Sequence, residues 1–226
     1  MAAMTAVSGM VLQERLDGVR SRIAAVGGDP ARVRVVAVTK GFGPAAVRAA
    51  LAVGVRDLGE NYAQELIAKA ATLDDLDVRW HFLGPVQRSK VARLARVVAR
   101  WHGLDRPSAI DVVAARSGAP ALLQVNLTCD RRRPGCAPAE AEALVEQCHS
   151  QGLVLDGLMT VGPVDDPAGS RRCFAELARI GGSLGLRELS MGMSDDFEAA
   201  VAEGATMVRL GRSLFGARPG AGSVRR

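Results

Sequence analysis

The chain has 226 residues, 48% hydrophobic and only 4% aromatic, so it exceeds a minimal module and must fill its core with Ala, Val and Leu. Its 29 Lys and Arg against 24 Asp and Glu leave a net charge of +5, which suits anionic ligands without marking a nucleic-acid binder. No apolar run approaches the roughly 18 residues a membrane helix needs, and the first ten residues lack the charged-then-apolar pattern of a signal peptide, so a cytoplasmic protein is expected.

Leu12, Leu16, Val19, Ile23 and Val26 form one helical stripe, stopped by Gly27, Gly28, Asp29 and Pro30. Residues 33–39 read as a buried strand, 44–51 as a helix and 55–59 as a strand. Asn61 is placed to cap the next helix, with Gln64 completing a capping box and Tyr62, Leu66, Ile67 and Leu73 on its apolar face. The alternation continues with a strand at 80–83, a helix at 89–98, a weak strand at 101–104 and a helix at 109–116. A strong strand at 121–127 precedes a helix at 138–149; then come strand 153–161, helix 171–184, strand 189–191, helix 195–203 and a last strand at 207–210. Repeated strand–helix units with no break in composition imply a parallel sheet with helices outside. About eight such units in this length predict an α/β fold, a single (β/α)8 TIM barrel with an extra N-terminal helix. One domain is expected over residues 1–226, with disordered tails at 1–9 and 217–226.

A barrel carries its chemistry where its strands end at their C-terminal side. That rule selects Lys40, then Glu60 and Asn61, His81 and Gly84, Asn126, Thr160, Met193 and Ser194, and Arg209 with Gly211. Lys40 follows an apolar run and enters a Gly41-Phe42-Gly43 loop. Such a lysine either has a desolvated amine ready to condense with an aldehyde, or snorkels to solvent or pairs with Glu60. Ser194 can cap the helix behind it, and the same loop offers N–H and O–H donors to a phosphate. Gly211, between Arg209 and Arg212, permits close backbone approach. In barrels, a phosphate often sits between the last two strand loops. A phosphate there and an amine on the adjacent first strand span a small phosphorylated aldehyde. The four cysteines, Cys129, Cys136, Cys148 and Cys173, form no CxxC pair and lie at no metal-ligand spacing from a histidine. Cys148 and Cys173 read as packing residues, Cys129 and Cys136 flank an Arg-rich loop and could be exposed, and His102 and His149 have no evident partner.

The segments VAVTK at 36–40, DLGENY at 57–62, WHFLGPVQ at 80–87 and QVN at 124–126 are followed by GLMT at 157–160, SMGMSDD at 190–196, VRLG at 208–211 and FGAR at 215–218. In this order, along nearly the whole chain, they resemble the pyridoxal phosphate homeostasis proteins. The resemblance implies a barrel like that of alanine racemase and bacterial-type ornithine decarboxylase, without their second domain. It implies pyridoxal 5′-phosphate (PLP) held as a Schiff base on Lys40, with Arg209 facing the pyridine nitrogen. Asn61 and His81 would line the pocket, and Met193, Ser194 and Gly211 would surround the phosphate. Members are often monomeric, show no established turnover, and are implied to buffer PLP and deliver it to apo enzymes. Two places depart from the family. Arg212 stands where the family usually has Thr, so it either neutralises the phosphate or points outward and leaves it to Ser213 and backbone N–H groups. The loop at 128–135 also differs.

No catalytic residue and no metal ligand is assigned. A small PLP-dependent racemase or lyase is the alternative. Arginine in place of a carboxylate at the pyridine nitrogen would weaken the ring as an electron sink, and the chain ends soon after the last strand, with no second domain expected. A Schiff-base aldolase using Lys40 on a sugar phosphate is a second rival. A nucleic-acid module built on Arg88, Lys90, Arg93, Arg96 and Arg100 is a third; interleaved with Val91, Leu94, Ala95 and Val98, these charges read as a solvated helix face.

Overall fold

The computed structural model describes residues 8–128 and 130–217. Parallel strands close into a barrel in chain order: β1 (Arg34–Val38), β2 (Asp57–Glu60), β3 (Arg79–Phe82), β4 (Val98–Leu104), β5 (Ala121–Gln124), β6 (Leu155–Met159), β7 (Glu188–Ser190) and β8 (Met207–Leu210). Around them lie α1 (Gly9–Ala25), α2 (Pro44–Ala52), α3 (Ala63–Thr72), α4 (Arg88–Leu94), α5 (Pro107–Ala114), α6 (Ala141–Ser150), α7 (Pro167–Ser183), α8 (Phe197–Ala202) and α9 (Arg212–Phe215). This is the expected eight-stranded barrel, and α1 is the extra N-terminal helix, packed on α2, α8 and α9. No helix among the described residues is long and apolar enough to cross a membrane.

Side chains that alternate along short parallel strands build two separate cores. Outward residues such as Leu58, Phe82, Trp101, Leu123, Leu158 and Val208 meet the helices, and α1 adds Leu12, Leu16, Val19 and Ile23 to that layer. Inside the barrel Leu122, Met159 and Met207 form a small cluster of their own. The N-terminal mouth is closed by ion pairs, Arg34 with Glu188, Arg79 with Asp57 and Arg100 with Asp156.

Several boundaries differ from the sequence expectation for physical reasons. Ser8 caps α1 by accepting from Val11 N at 3.4 Å, so residues 8 and 9, read as tail, begin the helix. The remaining tail positions, 1–7 and 218–226, and Cys129 lie outside the described residues. Val98, read as the end of a helix, and residues 99–100, read as neither helix nor strand, open the seven-residue strand β4, where Arg100 bonds Asp156 at 2.6 Å. Arg100 therefore leaves the basic helix face on which the nucleic-acid reading depended. Asn61 does not cap α3; Tyr62 is the N-cap, without a side-chain bond, and is 57% exposed rather than packed. Cys136, whose place beside the Arg-rich loop left exposure open, is buried, as are the packing residues Cys148 and Cys173.

Candidate functional site

A cavity of about 240 Å³ opens at the C-terminal ends of the strands. It gathers Lys40, Asn61, Met193, Ser194, Arg209, Gly211 and Arg212, seven of the residues selected from the sequence. It adds residues the sequence reading missed, among them Phe42, Leu83, Met159, Val161 and Asp195. Alternation could have found Met159, which shares the inner face of β6 with Gly157. A larger groove of about 780 Å³ runs between α4 and α5 on the outer layer. None of the strand-end residues selected above lines it, and it contains neither Asn61 Oδ1 nor Glu60 Oε2, the buried polar atoms that lack a partner.

Lys40 stands just beyond β1 rather than in it, half-buried, in a turn completed by Gly41 at φ +75°. Gly41 N donates to Glu65 Oε2 at 2.9 Å, which ties that turn to α3. Directly behind it, Thr39 Oγ1 and Lys69 Nζ both donate to Glu60 Oε1, at 2.6 and 2.5 Å. Lys69 is buried and also donates to Thr39 O at 2.8 Å. Burial raises the Glu60 pKa against the opposing hydrogen bonds from Lys69 and Thr39. Next along the chain, Asn61 Oδ1 is buried without a hydrogen-bond partner. An acceptor in that state is costly unless a ligand supplies the donor.

Arg209 lies across the cavity, 5% exposed. It donates to three neutral oxygens: Ser190 O and Oγ at 2.7 Å each, and Thr160 O at 2.8 Å. Desolvation lowers its pKa to about 10, so the guanidinium remains charged at neutral pH. Thr160, one of the strand-end candidates, thus anchors Arg209 from outside the cavity lining. Asn126 organises the loop after β5 instead of the cavity, donating to Asp130 O and Arg133 O and accepting from Thr128. In that loop Arg131 and Arg132 are exposed, while Arg133 donates to Gly162 O.

The loop after β7 is fixed by Gly192 at φ +87°, where an added Cβ would lie 2.6 Å from Ala200 Cβ. Ser194 does not cap α8; its Oγ accepts from Ser213 N at 3.1 Å and joins this loop to α9. Met193 N donates to Asp196 Oδ1 at 2.6 Å. Arg212 pairs with Asp195 at the rim, where both side chains are largely exposed. At Gly211 an added Cβ would make only an ordinary contact, 3.4 Å from Val38 O, so the protein itself does not demand glycine there.

Of the eight residues assigned to the cofactor pocket from the sequence, His81 is the one that the cavity does not include. Its side chain lies inside the barrel, 2% exposed, with Nδ1 2.8 Å from His102 Nε2 and Nε2 2.9 Å from Asp57 Oδ1. His102, partnerless by sequence, also meets Ser190 Oγ at 3.0 Å.

The alanine racemase N-terminal domain family matches residues 14–219. A pyridoxal phosphate homeostasis protein of Pseudomonas aeruginosa is 44% identical over 209 residues, covering 88% of this chain and 91% of that protein. One from Deinococcus radiodurans is 43% identical, covering 88% of this chain and 97% of its own. PipY of Synechococcus elongatus PCC7942, in a structure with PLP bound, superposes with a TM-score of 0.82 at 35% identity, over 91% of this chain and 100% of PipY. With the family model spanning residues 14–219 and likeness running along most of its length, the chain belongs to the pyridoxal phosphate homeostasis protein family, built on the alanine racemase N-terminal domain.

Proposed function

We propose that this protein binds PLP as a Schiff base on Lys40 and takes part in intracellular PLP homeostasis without catalytic turnover of its own. The observation that carries the reading is one cavity that joins Lys40 to a buried arginine held on neutral oxygens. The relative from Synechococcus elongatus, whose structure has PLP bound, supports the choice of ligand.

The residues present fit that group. PLP supplies an aldehyde for a lysine amine and a ring that withdraws electrons. Arg209, a permanent donor, would face the pyridine nitrogen, where it would disfavour ring protonation and restrain carbanion chemistry. Asn61 Oδ1 is a buried acceptor lacking a donor. Met193, Ser194 and Gly211 would hold the phosphate end, with Ser213 N bonded to Ser194 Oγ beside them, and Arg212 lies at the rim paired with Asp195. His81 acts from behind this site rather than in it. The same reading takes residues 1–226 as one PLP-binding domain, monomeric and cytoplasmic, with apo PLP-dependent enzymes as recipients and no nucleic-acid partner.

The test is an absorbance spectrum of the PLP-loaded protein before and after borohydride, followed by peptide mapping. The pyridoxyl tag is expected on Lys40, and Lys40→Ala should lose the imine band. A tag on another residue overturns the assignment. Steady racemisation or decarboxylation of single-enantiomer amino acids would turn the reading to the racemase or lyase alternative.

A further inference from the structure

Beneath the cavity, hydrogen bonds join Arg209 to Asp57 straight through the barrel. Arg209 Nη1 donates to Ser190 Oγ at 2.7 Å, and Ser190 Oγ lies 3.0 Å from His102 Nδ1. His102 Nε2 is 2.8 Å from His81 Nδ1, and His81 Nε2 is 2.9 Å from Asp57 Oδ1. Asp57 is in turn gripped by Arg79 Nε and Nη2, at 3.0 and 2.7 Å, at the opposite mouth. The relay draws one residue each from β8, β7, β4, β3 and β2, and every one of them is buried.

The two ends dictate where the hydrogens sit. Arginine only donates, and an ionised carboxylate only accepts. Burial would raise the Asp57 pKa, but hydrogen bonds from His81 and Arg79 hold it well below the usual carboxylate range. Burial lowers the pKa of both histidines, so both rings are neutral. His81 must then carry its proton on Nε2, facing Asp57, and accept at Nδ1. His102 therefore donates from Nε2 and accepts at Nδ1. Ser190 gives its hydroxyl hydrogen to His102 and turns its lone pairs to Arg209. All donors run one way, from cation to anion.

Polar groups in a barrel interior are costly to bury, and Leu122, Met159 and Met207 fill the neighbouring space without them. We propose that Ser190, His102 and His81 are positioning residues: they transmit the orientation fixed at Asp57 to Arg209 and hold its guanidinium against the pyridine nitrogen of PLP. The proposal rests on reading Arg209 as the partner of that nitrogen.

Histidine ¹⁵N spectra of the cofactor-free full chain test the relay apart from that reading. Nε2–H tautomers are expected for His81 and His102, and Nδ1–H on either ring overturns the proposal. With PLP added, Ser190→Ala and His102→Leu should each shift the absorbance maximum and weaken PLP binding about tenfold or more. The double variant should be no worse than either single one. His102→Asn, whose Oδ1 can accept from Ser190, should restore the wild-type spectrum. If His102→Leu fails to fold, Ser190→Ala and His102→Asn decide alone. A folded Ser190→Ala with unchanged spectrum and affinity overturns the proposal. A wild-type borohydride tag absent from Lys40 refutes the site reading instead, and the tautomers still judge the relay.

Discussion

Asn61 keeps a buried carbonyl oxygen without a partner, and Glu60 beside it keeps another at Oε2. The two differ in what they are for. Asn61 faces the cavity, so Asn61→Ala, which removes an unsatisfied acceptor, should stabilise the cofactor-free protein by about 1 kcal/mol while weakening PLP binding about tenfold, read by urea denaturation and fluorescence titration. Glu60 faces Lys69 and Thr39 inside the wall, where Lys69 is 5% exposed. Removing only the cation strands a buried carboxylate, so Lys69→Met should cost about 3–5 kcal/mol in urea denaturation. Glu60→Gln combined with Lys69→Met should recover most of that loss. Strand-end position was enough to find Lys40, Asn61 and Arg209 in the sequence. It could not find Lys69, which sits in the last turn of α3, where a lysine normally reads as a surface complement to the helix C-terminus.

Between β7 and α8 the chain turns through Gly192 at φ +87° and comes close to Phe197 Cα and Ala200 Cβ. A side chain there meets both a disfavoured backbone region and the body of α8. Gly192→Ala should therefore cost about 1–3 kcal/mol and, by displacing Met193 and Ser194, weaken PLP binding as well; unchanged urea midpoint and affinity would refute this account of the loop. The strand β5 was legible because Ala121, Leu122 and Leu123 form a continuous apolar run, and β8 because Met207, Val208 and Leu210 surround the single charge of Arg209. The start of β4 was not, because Arg100 points inward to Asp156 and the surrounding Arg–Val spacing mimics an amphipathic helix. α9 is only four residues long, too short to leave a periodic signal. His81 lies near the end of β3, which suggests the cavity, yet its ring turns back to Asp57, on the neighbouring strand opposite Arg79 rather than His81. Sequence order gives a strand position but not a rotamer.

Across the whole barrel, the same interior that steadies Arg209 makes stability depend on pH. His81 and His102 are buried neutral, and burial holds their folded pKa values below the ordinary one. A depressed folded pKa means that the unfolded chain takes up protons the folded chain refuses. The stabilising contribution is therefore complete above the unfolded value, about 6.5 for histidine, and is lost as pH falls toward the folded values. Stability should decline below pH ~6.5 by about 1.4 kcal/mol per pH unit for each histidine that stays neutral. Asp57 shares the sign: its depressed pKa adds a second decline that begins below about pH 4. The exposed His149 on α6 provides no such buried site. Urea midpoints at pH 8, 7, 6 and 5 should thus be flat at first and then fall, and His81→Gln with His102→Asn should flatten the fall between pH 6.5 and 5 while lowering the plateau. Burial raises the pKa of Glu60 and Asp156, which opposes the fall, so the comparison with the double variant decides: a wild-type midpoint that falls no more steeply than the variant's down to pH 5 would mean that the two rings can be protonated within the fold, and the one-way order of donors from Arg209 to Asp57 could not stand.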